Sequence, residues 1–232
     1  MIYKVIKKRL DKRELWKLSV VLSVVLLEAA FWIVRPFMTL GLDYNTPTTL
    51  IYPRFIEMGS IPLFFLLLIL FFRDFSTEER IRIKKVMQFR YHLIVIFISG
   101  IIVSLIPILT LIIFTFFKNK SEILALGLLM DIFIRSMMFY YTLGLIQYLF
   151  FLWISNHWYA FGIVYILEII FSFLSGFDTI FQKFANYAFL YLIPPTKEIG
   201  QPSYLLFPFF LGTSTLLGVF CYNKLIKQDY LS

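Results

Sequence analysis

Apolar residues occur along this chain in six long blocks, 18–38, 56–72, 93–117, 123–154, 159–174 and 204–222, separated by short polar or charged stretches. A helix needs about 20 apolar residues to cross the hydrocarbon core of a bilayer, so the blocks predict an all-α, polytopic membrane protein with six transmembrane helices. They form one transmembrane domain over 1–232, with no internal repeat and no separate soluble domain. The fourth block is longer than an upright crossing needs, which predicts a tilted or broken helix whose first turns extend beyond the membrane. Gly41, Asn45, Pro47 and Pro53 make 39–55 a loop. Lys118–Ser121 and Ser155–Trp158 read as tight turns.

Three segments outside these blocks carry a helical pattern of their own. Residues 73–92, RDFSTEERIRIKKVMQFRYH, are the only long, densely charged stretch between two apolar blocks. Ser76 followed by Glu79 is a capping box, which predicts a helix over Thr77–Arg90. Glu78 precedes Arg82 by one turn in the favourable order. Ile83, Val86 and Met87 make a narrow apolar stripe, and Arg80, Arg82, Lys84, Lys85 and Arg90 charge the rest. Two readings stay open: a helix on which a partner acts, or a positively charged topology anchor.

Residues 1–17 place Ile2, Val5, Ile6 and Leu10 at helical spacing among six basic residues between Lys4 and Arg13, the pattern of an amphipathic helix lying on the inner membrane surface. Residues 175–203 place Phe177, Ile180, Phe181, Phe184, Ala188 and Tyr191 at helical spacing before Pro194 and Pro195. They predict a re-entrant segment at the outer interface. Its aromatic face serves either as an interface belt or as an outer lid for an amphipathic substrate.

Lysine and arginine set the orientation. Fifteen fall in 1–17, 73–92 and the C-terminal tail, against six (Arg35, Arg54, Lys118, Lys120, Lys183 and Lys197) on the alternate side, which predicts both termini in the cytoplasm. The whole chain is 60% hydrophobic and 16% charged, well below the charged share of a soluble domain. Its net charge of +8 is concentrated at the ends of apolar blocks, and so points to the membrane surface rather than to nucleic acid. The lone Cys221 excludes a disulfide framework and a cysteine-ligated metal site. No small-residue cleavage pattern follows the first apolar block, so no removable signal peptide is expected.

Four ionisable residues fall inside the apolar blocks: Glu28, Asp131, Arg135 and Glu168. Near the bilayer centre each costs roughly 2.5–3.5 kcal/mol on insertion scales, so each needs a partner or water. Asp131 and Arg135 are one turn apart and can pair along one helix face. The four residues either line an outward cavity as a substrate pathway or pair across helices and fix packing. Catalytic signatures are absent. The only histidines, His92 and His157, lie near the expected cytoplasmic face and form no HExxH or metal-binding cluster. There is no GxSxG elbow and no GxxxxGK[ST] loop, so no enzyme activity, metal or cofactor is expected on this chain.

This layout resembles the membrane subunit of ABC-2-type exporters. The resemblance covers nearly the whole chain and rests on the basic N-terminal helix and on six spans with both termini inside. It rests also on the charged RDFSTEERIRIKK after span two and the aromatic FDTIFQKFANYAFLYLIPP before span six. Where many members carry an acidic-Gly-Thr step, this chain has Ile81-Arg82-Ile83. The resemblance implies a permease in a bacterial cell membrane, working as a homodimer or with a related permease chain. ATP and magnesium would be bound by a separate ATPase subunit. It makes Ser76, Glu79, Arg80, Arg82, Lys84 and Lys85 the ATPase-coupling residues. Glu28, Asp131, Arg135, Glu168, Phe181 and Phe184 become the candidate substrate pathway, with amphipathic or antimicrobial peptides as cargo. Two alternatives remain: a non-transporting immunity or scaffold protein, and a proton-coupled secondary carrier in which Glu28 or Glu168 carries the proton. The carrier lacks the repeats and paired broken helices that such folds use.

Overall fold

A computed structural model describes residues 19–23, 25–27, 29–30, 60–72, 82–117, 126–175 and 203–227. Described residues 19–30 are helical, and five further helices follow: α1 (Ile61–Phe71), α2 (Lys85–Phe117), α3 (Leu126–Ile154), α4 (His157–Ser175) and α5 (Ser203–Lys227). The architecture among the described residues is all-α. Parts of α2, α3 and α5 are long and apolar enough to cross a membrane, which marks the chain as a membrane protein; α1 and α4 are shorter apolar helices.

The other four helices all pack on α3. Helix α2 runs antiparallel to it in one continuous register: His92 meets Tyr148, Ile96 meets Gly144 and Gly100 meets Tyr140. Helix α1 runs parallel to α3, with Phe64 on Tyr140 and Phe72 on Tyr148 and Phe151. Helix α4 turns back beside both, through Phe65 on Phe161 and Phe72 on His157. Helix α5 returns parallel to α3, joined by Phe210 on Tyr141 and a Cys221 Sγ contact of 3.6 Å to the Leu145 carbonyl. The core holds Phe64, Phe65, Leu67, Ile96, Leu143 and Tyr148, each at most 2% exposed.

Gly144 sits where α1, α2 and α3 converge. A Cβ there would lie 2.5 Å from Ile96 Cγ2 and 3.1 Å from Phe64 Cζ, so only glycine lets the three backbones approach this closely. The turn between α3 and α4 is set by two residues. Ser155 takes a left-handed φ of 58°, and the Asn156 side-chain oxygen accepts from the backbone N–H groups of Trp158 (2.9 Å) and Tyr159 (3.3 Å), capping α4.

One helix boundary differs from the sequence expectation. Helix α2 does not start where the charges end. It runs unbroken from Lys85, so Lys85–His92 belong to the long helix, and the break falls at Ile83–Lys84. The reason is that helical hydrogen bonding is internal to the backbone and continues across a change of solvent. At 33 residues α2 is about 50 Å long. That exceeds a hydrocarbon core of about 30 Å and leaves room for its charged turns outside the apolar layer. Helix α3 is a single unbroken helix of 29 residues, which leaves the tilted form of the two expected. The expected interfacial helix at 1–17, Glu28, the start of the charged segment with Ser76, Glu79 and Arg80, and the aromatic segment with Phe181 and Phe184 lie outside the described residues.

Candidate functional site

The antiparallel and parallel pairings bring the C-terminal ends of α1, α3 and α5 to the same end of the bundle as the start of α2 and the start of α4. Six basic residues, Arg82, Lys84, Lys85, Arg90, Lys224 and Lys227, gather at this end. Among the described residues the only carboxylates are Asp131 and Glu168, and neither is here.

At this end three side chains in the first two turns of α2 reach neighbouring helices, and a fourth closes the break before it. Lys85 Nζ donates to the Ile226 carbonyl in the last turn of α5, at 2.5 Å. Gln88 Nε2 donates to the Ile83 carbonyl at 2.8 Å, bridging the break before the helix. The Tyr91 hydroxyl donates to the Phe71 carbonyl at the end of α1, at 2.9 Å. His92 Nδ1 and the Tyr148 hydroxyl of α3 lie 3.1 Å apart, with the donor set by the imidazole tautomer. Two of these bonds occupy carbonyls that a helix C-terminus leaves without an internal partner. The charged segment is thus tied at once to α1, α3 and α5.

Beneath these bonds lies an aromatic cluster built around Phe72. Its ring packs edge-on to His92 (5.0 Å between centroids) and to Tyr148 (5.7 Å), and tilted against His157 (5.7 Å). His157 stacks on Phe151 at 3.8 Å and 6°. The chain's two histidines, 65 positions apart in sequence, therefore share one neighbour. Buried Gln147 reaches the His157 carbonyl through Nε2 at 3.5 Å, a weak contact. Among the described residues no group of three metal-ligating side chains occurs; the His92 ring makes ring contacts and the Tyr148 contact, and the His157 ring packs on Phe72 and Phe151.

The intramembrane charges are placed elsewhere. Arg135 Nε donates to Asp131 Oδ2 at 2.6 Å, and the arginine side chain is only 2% exposed while the aspartate is 20% exposed. The pair spans one turn of α3, and Ser136 beside it is also buried. Glu168 is buried on α4, eleven residues past the α3–α4 turn, whereas Arg135 is 19 residues before the end of α3. The structure thus joins Asp131 with Arg135 on α3 and buries Glu168 on α4. Arg82 and Lys84 are exposed at the basic end, and Lys85 is the one residue of the expected coupling set whose side chain makes a defined contact to another helix among the described residues.

Sequence reasoning did not reach the Phe72–His92–Tyr148–His157 cluster. One usable signal was present: both histidines fall at block edges predicted to face the same side. Comparison with protein-family models, curated proteins and solved structures finds no match to this chain.

Proposed function

We propose that this chain is the membrane subunit of an ATP-driven exporter of the ABC-2 type, driven by a separate ATPase at its basic end. The observation that carries the reading is the fastening of Lys85–His92 to three helices at once. A force applied to an amphipathic basic segment reaches α1 through Tyr91, α3 through His92 and α5 through Lys85. An anchor that only sets topology needs its charges and not these bonds. In this reading the end where six basic residues gather is the cytoplasmic one, with the tail after α5 and the N-terminus inside and six crossings in all. The subunit works with a second permease chain, the same or related, around one pathway. Asp131, Arg135, Glu168 and Glu28 belong to that pathway, with the aromatic residues Phe181 and Phe184 at its outer end. Amphipathic or antimicrobial peptides are the cargo, by family resemblance.

The test is copurification of the chain with the ATPase, comparing the parent with a variant in which Arg80, Arg82, Lys84 and Lys85 are all replaced by Glu. Loss of the ATPase with retained membrane insertion supports the docking role. Retained binding and retained ATPase stimulation sink it. A flipped topology returns the segment to the anchor role. One observation favours a second reading, the proton-coupled carrier: Glu168 is a carboxyl only 8% exposed in an apolar helix. That reading requires export to follow an imposed proton gradient without ATP, and to fail in Glu168→Gln.

A further inference from the structure

The exposed apolar faces of α2 and α5 each end in a base. On α2, Ile94, Phe97 and Ile98 are about half exposed, and Arg90 continues the same face one turn nearer the basic end. On α5, Leu216 and Phe220 are about 60% exposed, and exposed Asn223 and Lys227 continue that stripe at the same end of the bundle. Phe89 on Tyr222, at 5.5 Å, and the Lys85 bond to Ile226 hold the two helices side by side, so the bases on both lie at one end of the bundle. Lys224 adds to them from beside the Trp153 ring, 5.9 Å from its centroid. Trp153 is 64% exposed, as an aromatic residue at a membrane interface is.

We infer that Arg90, Lys224 and Lys227 form a binding rim for the phosphate headgroups of anionic phospholipids. A lipid whose acyl chain lies along Ile94–Phe97 or Leu216–Phe220 presents its headgroup at the level of these bases. Charge complementarity selects the anionic class, because no described carboxylate lies at this end to neutralise the rim. Asp74, Glu78, Glu79 and Asp229 are near in sequence and outside the described residues, so the measured preference also reads whatever charge they remove. Long basic side chains suit the position, since their stems lie on apolar surface while the charge reaches the interface. The rim goes beyond the exporter reading, and none of its three residues belongs to the ATPase-coupling set.

The experiment uses the full chain purified from phosphatidylcholine bilayers with and without phosphatidylglycerol, with retained lipid counted by native mass spectrometry. The parent retains phosphatidylglycerol in preference to phosphatidylcholine, and the preference falls as salt is raised. In Arg90→Gln/Lys224→Gln/Lys227→Gln the preference drops, by about fivefold for each base removed at low salt. The charge-conserving Arg90→Lys/Lys224→Arg/Lys227→Arg keeps it. The proposal is overturned if the parent shows no preference, if the preference ignores salt, or if the Gln variant keeps it. It is overturned equally if only Arg82→Gln/Lys84→Gln removes the preference, which assigns the lipid to the charged segment. Should the Gln variant fail to fold, the parent's salt titration and the charge-conserving variant decide. ATPase copurification, measured on the same preparations, reports separately on the exporter reading.

Discussion

Two polar regions of this bundle answer the same problem in different ways. Asp131 and Arg135 are charges inside an apolar helix, and the arginine is nearly sealed from solvent. The region around Phe72, His92, Tyr148 and His157 is aromatic and at the bundle's end, and it shares its load among several modest contacts. The first is a strong interaction that is costly to halve, because a buried charge without its counter-charge has nowhere cheap to go. The second is a set of weaker contacts, the buried His92–Tyr148 one among them, in which no ion pair is at stake. Such contacts suit a region that must move, and a buried ion pair suits one that must not. The contrast predicts that the ion pair on α3 tolerates the loss of a partner less well than the contacts at its basic end do.

Separating the ion pair should give the largest effect. Asp131→Ala takes the Asp131 carboxylate away from the buried Arg135 guanidinium, an expected loss of up to about 3–5 kcal/mol. Asp131→Leu/Arg135→Leu removes both charges and should fold far closer to the parent. Unfolding measured by steric trapping in bicelles checks both. If the double variant is as damaged as the single one, the pair's role is more than mutual neutralisation, and the pathway reading of these residues gains support.

Next comes the close approach that holds α1, α2 and α3 in register. Gly144→Val drives carbon into Ile96 and Phe64, and overpacking of this kind costs about 1–3 kcal/mol or more. The same measurement should show the change. Since Ile96 lies one turn beyond His92, the variant should also weaken the His92–Tyr148 hydrogen bond, visible as a shift in the imidazole NMR signal.

How much of this was legible in the sequence depends on how local each feature is. The Asp131–Arg135 pair needed only two residues one turn apart, and the spacing named it. The α3–α4 turn showed as Ser155–Trp158, and Asn156 capping α4 falls inside it. The start of α2 was misplaced because a charge boundary was read as a helix boundary, although the backbone registers no such boundary. The aromatic cluster was not readable at all. Its members, Phe72, His92, Tyr148, Phe151 and His157, come from four parts of the chain, and period and composition carry no information on which helices pair. In a membrane that silence deepens, since lipid-facing and core-facing positions are equally apolar and leave little amphipathic pattern to read.

Tyr148→Phe sharpens the comparison from the other side. It removes a single hydroxyl and its bond to His92 while keeping the ring contacts with Phe72 and Phe89, so the expected loss is about 1 kcal/mol. A loss as large as that of Asp131→Ala would mean the contacts at the basic end tolerate the loss of a partner no better than the ion pair does, and the contrast along α3 would collapse.

The smallest stability effect should accompany the largest functional one. Lys85→Met and Tyr91→Phe each delete one exposed hydrogen bond to a helix end, and each should cost about 1 kcal/mol or less. Neither removes packed apolar surface from the core, so melting temperature and membrane insertion should stay close to those of the parent. Yet these bonds link the charged segment directly to α5 and α1. If movement enters at that segment, the double variant should still bind the ATPase through Arg80, Arg82 and Lys84 while ATP hydrolysis no longer drives export. Binding, hydrolysis and export measured on one reconstituted preparation separate the cases. Loss of binding places Lys85 in the docking surface itself. Export at the parental rate means that force passes through the aromatic packing around Phe72 instead, and the four bonds at the start of α2 then serve only to fix where that helix begins.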